Sequence, residues 1–180
     1  MRWSTCLRRR NSAMVRFAAP QRLALALIVA VIAADQVSKT WLYTYLSTTG
    51  RHAIEVLPFL NLIAVWNYGV SFGVFNQGPG TGAWMFVGLA LVIVVILAAW
   101  VVRADRLLPA AALGLVIGGA LGNVIDRVRQ GAVFDFIDLH ALGVHFWAFN
   151  IADSGISVGV VLLLIDSLFG GDEQSKREPS

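Results

Sequence analysis

The chain has 180 residues, of which 57% are hydrophobic and only 14% are charged, with a net charge of +3. This composition is too apolar for an ordinary soluble domain of that length, so a membrane protein is predicted. The single cysteine, Cys6, excludes an intrachain disulfide and gives no indication of redox chemistry.

Four segments are suited to crossing a bilayer. Residues 82–102 run for 21 positions without a charge, and at about 1.5 Å per residue they cross a hydrocarbon core about 30 Å thick. Three other segments contain polar residues and are predicted at about 22–46, 107–126 and 149–169. The predicted fold class is therefore an all-α membrane protein with four transmembrane helices.

The first of these segments also resembles a secretory signal peptide, because a basic flank precedes about a dozen apolar residues and several small ones. The apolar pattern nevertheless continues through Trp41, Leu42 and Leu46, which completes a span of about 25 residues. A retained first helix is therefore favoured over a cleaved one.

The basic residues predict the orientation in the membrane. Ten of the 14 lie in the N-terminal segment, in the link between the second and third spans, or in the tail. Cytoplasmic flanks collect Lys and Arg, so both termini are predicted to be cytoplasmic, and nucleic acid is not an expected partner. The chain divides into an N-terminal arm (1–20), one four-helix membrane domain (21–170) and a tail (171–180).

The first exported loop, residues 47–81, is rich in Ile, Val, Phe and Trp and is bounded by Gly, Pro and Asn. This pattern predicts a small β-rich or interfacial segment between helices one and two. Trp66 and Phe72 are predicted to wall the substrate site. The second exported segment, 128–150, is too short to form a domain. The three histidines have no partner at ligand spacing, so no metal site is expected.

Five aspartates fall at or beyond the predicted outer ends of the helices, where the neighbouring sequence is apolar: Asp35, Asp126, Asp135, Asp138 and Asp153. An ionised carboxylate that is buried alone costs several kcal/mol, so each must be paired, hydrated or protonated. Asp35 and Lys39 are spaced to pair on one helical turn. Only Lys39 and Arg127 are basic residues within these helix ends, so some of the aspartates are left without an ionic partner.

Two unpaired carboxyl groups at one site of low dielectric constant share a proton. The charged group can take a proton from water while the neutral group donates one to a carbonyl oxygen or a leaving amine. This is the chemistry of an aspartyl protease, and it requires no metal and no cofactor.

Helical spacing indicates one of the two acids. In the fourth span, Asn150 and Asp153 begin a polar stripe on an otherwise apolar helix, which directs Asp153 inward. Asp135 lies between two phenylalanines, whose apolar surroundings would raise its pKa. Asp126, next to Arg127, is typical of a structural ion-pair element. Periodicity does not separate Asp135 from Asp138.

Glycines in the third span recur at three- and four-residue spacing, which predicts close approach of a neighbouring helix: Gly114, Gly118, Gly119 and Gly122.

Five motifs in chain order resemble lipoprotein signal peptidase, also called signal peptidase II: DQVSK (35–39), NYGVSFG (67–73), GNVIDR (122–127), FDFID (134–138) and FNIAD (149–153). The resemblance extends from Asp35 to about Ile165. It implies an aspartyl endopeptidase of the bacterial inner membrane, with its active site near the outer leaflet. Such an enzyme removes the signal peptide from prolipoproteins just before the diacylglyceryl-modified cysteine.

The resemblance also implies which residues form the site. The catalytic aspartates fall on Asp135 and Asp153, and Asp126 and Asp138 become supporting or structural residues. The other characteristic positions are Asp35, Lys39, Asn67, Gly69, Gly122, Asn123, Arg127, Asn150 and Ala152. The expected partners are the lipidated prolipoprotein and membrane lipid, and the enzyme is expected to be a monomer.

The alternative from another class is a small proton-coupled transporter or channel that uses the same buried acids. Transporters commonly carry internal repeats or broken helices in matching halves, and the sequence contains neither. A purely structural four-helix subunit would leave the clustered acids and asparagines unexplained.

Overall fold

The computed structural model describes residues 18–69, 81–141 and 144–169. Cys6, the tail after Phe169, and residues 70–73 of the NYGVSFG motif, which include Phe72, lie outside this part of the chain. The described elements are, in order, α1 (Ala19–Thr49), β1 (Ala53–Leu57), β2 (Leu60–Asn67), α2 (Thr81–Arg103), α3 (Leu107–Gln130), β3 (Val133–Ala141), β4 (Val144–His145) and α4 (Ile151–Phe169).

All four predicted spans are helices long and apolar enough to cross a membrane. The α1 helix starts with Pro20 in its first turn, where a missing N–H is harmless, and ends at Gly50 in the left-handed conformation. The α3 helix continues beyond the predicted end to Gln130. It stops at Gly131, also left-handed, whose N–H donates to the Arg127 carbonyl oxygen at 3.0 Å.

The α2 helix shows why the protein requires a membrane. Its large apolar side chains are exposed over its whole length, among them Leu89, Val92, Val95, Ile96 and Trp100. A continuous apolar surface of this kind is unstable in water and is covered by lipid in a membrane. The prediction of a multi-pass membrane protein is confirmed.

The α3 helix lies at the centre and packs against the three other helices, and its glycines allow the close approach that their spacing predicts. A Cβ atom at Gly114 would lie 2.7 Å from the Ala24 carbonyl oxygen of α1. A Cβ atom at Gly119 would collide with the Ala152 carbonyl oxygen of α4. Helix backbones therefore touch on both sides of α3.

A four-stranded antiparallel sheet, in the order β1-β2-β3-β4, lies at one end of the helices. In its register, Ile54 pairs with Leu62, and Leu62 with Ile137. β1 and β2 lie in the segment between helices one and two for which β structure is predicted, whereas β3 and β4 come from the segment between helices three and four, for which no strand is predicted. That segment is too short to be stable alone, and β3 becomes a strand by pairing with the distant β2.

The sheet is attached to the helices by an apolar cluster. Phe134 and Phe136 of β3 pack with Leu42 and Leu46 of α1. On the other side, the N–H groups of Phe136 and Ile137 both donate to the Phe149 carbonyl oxygen, at 3.0 and 2.8 Å. These contacts place β3 beside the start of α4.

The contact between Gly119 and Ala152 predicts a clear effect of a single methyl group. We expect Gly119→Ala to lower the thermal unfolding midpoint of the detergent-solubilised protein, because overpacking costs about 1–3 kcal/mol. Gly88→Ala is the matched control, since no atom lies within 4 Å of a Cβ there. The control should match or slightly exceed the wild type, because Ala favours a helix over Gly. Equal midpoints for the two variants would contradict this packing.

Candidate active site

The start of α4 holds Asp153 in place. The Oδ1 atom of Asn150 accepts the Asp153 N–H at 3.0 Å, and Asp153 Oδ2 accepts the Asn150 N–H at 3.2 Å. This reciprocal pair is a capping box, which satisfies backbone donors at a helix start. The polar residues at the start of this apolar helix therefore form its N-terminal cap. The cap uses Asp153 Oδ2 and leaves Oδ1 directed towards α3.

Asp135 lies beside this cap in β3 and is 2% exposed. Its Oδ1 accepts a hydrogen bond from Asn150 Nδ2 at 2.7 Å, and its Oδ2 accepts one from Asn67 Nδ2 at 3.0 Å. Asp153 Oδ1 accepts a further bond from Asn123 Nδ2 at 2.7 Å. Asn150 thus contacts both carboxyl groups and brings them to one place.

The surroundings of Asp135 favour its protonated form. Burial is the main cause, and together with the nearby charge of Asp153 it raises the pKa of Asp135 to about 6. The hydrogen bonds from Asn67 and Asn150 and the charge of Lys39 offset part of this effect. The buried carboxyl group therefore holds a proton in a pH range where an ordinary aspartate is ionised.

A buried ammonium group lies next to this pair. Lys39 Nζ is 2.8 Å from Asp35 Oδ2 and 2.7 Å from Asp126 Oδ2, and it donates to Asn123 Oδ1 at 3.2 Å. The predicted pairing of Asp35 with Lys39 is confirmed. Because Lys39 donates to the side-chain oxygen Oδ1 of Asn123, the side-chain nitrogen Nδ2 of Asn123 is directed towards Asp153.

Asp35 connects α1 to α4. It is fully buried, and its Oδ1 accepts the Ala152 N–H at 3.0 Å. This N–H is one of the unpaired donors of a helix start, where the helix dipole also favours a negative charge. Gly122 leaves room for the contact, since a Cβ atom there would lie 2.9 Å from Asp35 Oδ2 and 3.2 Å from the Ala152 methyl group.

Asp126 forms an ion pair, as the sequence predicts, but its partner is Lys39 of α1 and not the adjacent Arg127. It pairs with Lys39 and accepts the Phe134 N–H at 3.2 Å, which attaches β3 to α3. Arg127 forms no ion pair with any described residue. Its guanidinium lies 5.3 Å from the centre of the Phe86 ring.

The end of β2 orients the second amide on Asp135. The Gly69 N–H donates to Asn67 Oδ1 at 3.2 Å, so the Nδ2 group of Asn67 faces the carboxyl group. Trp66 precedes Asn67 on the strand and therefore faces the opposite side, where it contacts Tyr43 and Phe134. The prediction that Trp66 walls the same site as the acids is wrong, because side chains alternate along a strand.

Asp138 belongs to a separate group of residues. Its carboxylate contacts His145 Nδ1 at 2.9 Å and accepts a hydrogen bond from Asn61 Nδ2 at 3.3 Å. Burial opposes ionisation of Asp138, but the contacts with His145 and Asn61 outweigh it and hold its pKa below the usual value. Asp135 and Asp138, which periodicity does not separate, therefore have different partners: two asparagine amides for Asp135, and a histidine and an asparagine for Asp138.

An apolar cavity of about 250 Å³ lies between α2, α3 and α4 and has a polar end at Asn123 and Arg127. Its other walls come from Phe86, Leu89, Ala90, Ile93, Val116, Ala120 and Ile156. Among residues 18–69, 81–141 and 144–169, no three His, Cys, Asp or Glu residues are grouped so that they could hold a metal ion.

Comparisons with known proteins agree with the motifs. A family model described as signal peptidase (SPase) II matches residues 27–169. The lipoprotein signal peptidase of Methylorubrum extorquens (strain PA1) is 46% identical over 82% of this chain and 86% of its own length. That of Caulobacter vibrioides is 44% identical over 84% of this chain and 90% of its own length.

A solved structure described as a bacterial membrane enzyme is also similar, with a TM-score of 0.69 and 32% identity, covering 87% of this chain and 92% of its own. The chain belongs to the signal peptidase II family. This membership confirms the predicted function, cleavage of prolipoprotein signal peptides, and gives no support to the transporter alternative.

The motif-based prediction for this signal peptidase omits Gln36. Its Nε2 group lies 2.8 Å from Asp126 Oδ1, 3.2 Å from Asp35 Oδ2 and 3.3 Å from the Gly122 carbonyl oxygen. Its position within DQVSK, next to Asp35, is the only sequence signal, and the contacts with α3 appear only when the helices pack.

We expect Gln36→Leu to lower kcat for prolipoprotein cleavage about tenfold, equivalent to ~1.4 kcal/mol, with little change in KM. Gln36 steadies the two acids that position Lys39, and Lys39 in turn orients Asn123. Ser38→Ala is the control, because within the described part of the chain that hydroxyl donates only to the backbone carbonyl oxygen of Asp35 in its own helix. A normal kcat in Gln36→Leu would contradict the assignment.

The raised pKa of Asp135 predicts a pH dependence of stability. The folded state holds this proton up to about pH 6 and the unfolded state only to about pH 4, so stability falls as pH rises between these values. The change is of the order of 3 kcal/mol. The unfolding midpoint of the wild type minus that of Asp135→Asn should therefore decrease from pH 4 to pH 6 and then level off. A difference that increases with pH would contradict the raised pKa.

Proposed function

We propose that this signal peptidase is an aspartic endopeptidase whose catalytic dyad is Asp135 and Asp153. Its substrate is a prolipoprotein cut just before the diacylglyceryl-modified cysteine. The observation that carries the proposal is the position of Asn150, which is hydrogen-bonded to both side chains and holds two acids from different elements at one site.

The two acids have different surroundings, which supports different roles. Asp135 is buried and its pKa is raised to about 6, so it supplies the proton. Asp153 is partly accessible and accepts hydrogen bonds from Asn123 and from the Asn150 backbone at a helix start, so it supplies the charged carboxylate. Two carboxyl groups can act as acid and base in one reaction when one of them is protonated and the other is ionised.

The proposed reaction balances its protons without another group. Asp153 takes a proton from water as the water oxygen attacks the scissile carbonyl carbon, and Asp135 donates its proton to the carbonyl oxygen. In the resulting diol intermediate, Asp135 recovers a proton from one hydroxyl group. Asp153 passes its proton to the leaving amine as the C–N bond breaks.

The neighbouring residues orient the dyad and the substrate. Asn67 and Asn150 hold Asp135, whereas Lys39 acts on Asp153 through Asn123. Arg127 has no ionic partner among the described residues and lies at the polar end of the apolar cavity. We assign to its guanidinium the binding of a substrate carbonyl oxygen near the scissile bond.

The apolar cavity fits the apolar part of the substrate. It runs along α2 and α3 and ends at Asn123 and Arg127, so acyl chains or apolar side chains lie in hydrocarbon while the peptide bond lies at the acids. With both termini cytoplasmic, this end of the bundle lies at the outer leaflet of the inner membrane.

The dyad is tested by three matched Asp→Asn variants. We expect Asp135→Asn and Asp153→Asn each to reduce cleavage of a lipidated prolipoprotein at least about 10²-fold, because each loses a proton-transfer group whose usual contribution is about 10²–10⁴-fold. Asp138→Asn is the control and should lose less than about tenfold, since it removes a buried acid outside the proposed dyad.

The readout is the shift of the precursor to the shorter product on a gel, with thermal unfolding to verify folding. Near-normal turnover in Asp135→Asn or Asp153→Asn would remove that residue from the dyad. Equal losses in Asp135→Asn and Asp138→Asn would remove the distinction between them.

A further inference from the structure

A second cavity, of about 350 Å³, has no part in the proposed reaction. It lies between the ends of α1 and α3 that carry the sheet, and we call it the outer niche. Its walls include the aromatic residues Tyr43, Trp66 and Phe134, and its polar residues include Lys39, Asp126 and Arg129. Neither Asp135 nor Asp153 lines it, so it is a separate site.

The charges inside the niche are compensated, with one exception. Lys39 is paired with Asp35 and Asp126, and both oxygens of Asp126 are occupied, by Gln36 on one side and by Lys39 and the Phe134 N–H on the other. Arg129, in contrast, is exposed and forms no ion pair with a residue in the described ranges. The unpaired charge that faces the niche is therefore positive.

The aromatic wall gives the niche an amphipathic character. The Trp66 ring lies 5.8 Å from Tyr43 and 5.1 Å from Phe134, centre to centre, so the three rings form one cluster. The ring surface that this cluster offers the niche comes mainly from Tyr43 and Trp66, because Phe134 is 3% exposed. Tyr and Trp side chains are typical of the membrane–water interface, where an apolar ring meets a polar tip. A ligand that fits has an anionic head and a less polar body.

The position of the niche restricts its occupant. The two helices that form it are long and apolar enough to cross a membrane, and Tyr43 and Arg129 come from their last two turns. We place these last turns at the depth of lipid headgroups. With the orientation of the proposed function, this is the outer leaflet. A phospholipid of that leaflet has an anionic phosphodiester and an apolar body, and it is always present there.

We propose that the outer niche binds the phosphodiester of a glycerophospholipid, with Arg129 donating to the phosphate oxygens and the ring surface packing on the glycerol. The occupant is a lipid of the bilayer and differs from the substrate, because a diacylglyceryl thioether has no phosphate for Arg129 to bind. Arginine suits the role, since its planar fork matches phosphate geometry.

The test measures binding to the full chain in a non-ionic detergent. Short-chain phosphatidylglycerol is titrated while the thermal unfolding midpoint is followed, and parallel titrations use a short-chain diacylglycerol and inorganic phosphate. We expect a saturable stabilisation by phosphatidylglycerol that depends on Arg129, whereas any stabilisation by diacylglycerol through the apolar cavity should be the same in the wild type and in Arg129→Gln. Arg129→Gln should weaken the apparent affinity about fivefold, the usual effect of one cation on binding to anionic lipid. Arg129→Lys should retain most of the affinity.

Arg51→Gln is the matched control, because Arg51 is also exposed beyond the same end of α1 but does not line the niche. An equal weakening in Arg51→Gln would reduce the effect to general surface charge and overturn the proposal. An equal loss of diacylglycerol affinity in Arg129→Gln, or equal stabilisation of the wild type by inorganic phosphate, would overturn the lipid phosphodiester as the ligand. The titration is repeated in Asp153→Asn, where the affinity should be unchanged, so that a failure of the dyad is distinguishable from a failure of the niche.

Discussion

The buried ammonium group of Lys39 is the interaction on which the site depends. A charge removed from water costs several kcal/mol unless it is fully paired, and Lys39 is held by Asp35, Asp126 and the Asn123 carbonyl oxygen. These residues belong to α1 and α3, and Asp35 reaches α4 through the Ala152 N–H. A single cluster therefore ties three transmembrane helices together at the depth of the candidate active site.

The same cluster explains how two acids can remain unpaired close by. Neither Asp135 nor Asp153 forms an ion pair with a described residue, and each is held instead by neutral amides from Asn67, Asn123 and Asn150. Amides orient a carboxyl group without neutralising it, so the proposed dyad remains free to exchange protons. The side chains of Asn123 and Asn150 lie between the ion pairs of Lys39 and the acids of the proposed dyad.

The four spans, the pair of Asp35 with Lys39 and the cap of α4 all follow from short stretches of sequence. Apolar length determines the four spans, and the i, i+4 spacing of Asp35 and Lys39 determines their pairing, because both follow from the geometry of one helix. Asn150 and Asp153 are similarly local, since a capping box needs only its own first turn. The five sequence motifs indicated the signal peptidase II family, and the comparisons with known proteins confirmed it.

The contacts between distant segments depend on how the helices and strands pack. The strand β3 forms because it pairs with β2, about 70 residues away, and no local pattern contains that partner. The packing also chose Lys39 over Arg127 as the partner of Asp126, brought Gln36 to α3, and placed Asp135 beside Asn150 while Asp138 met His145. Local patterns in the sequence are enough to establish the spans, the pairs within one helix and the candidate acids. Their convergence was decided by the fold, because burial and hydrogen-bond partners depend on which helices and strands meet.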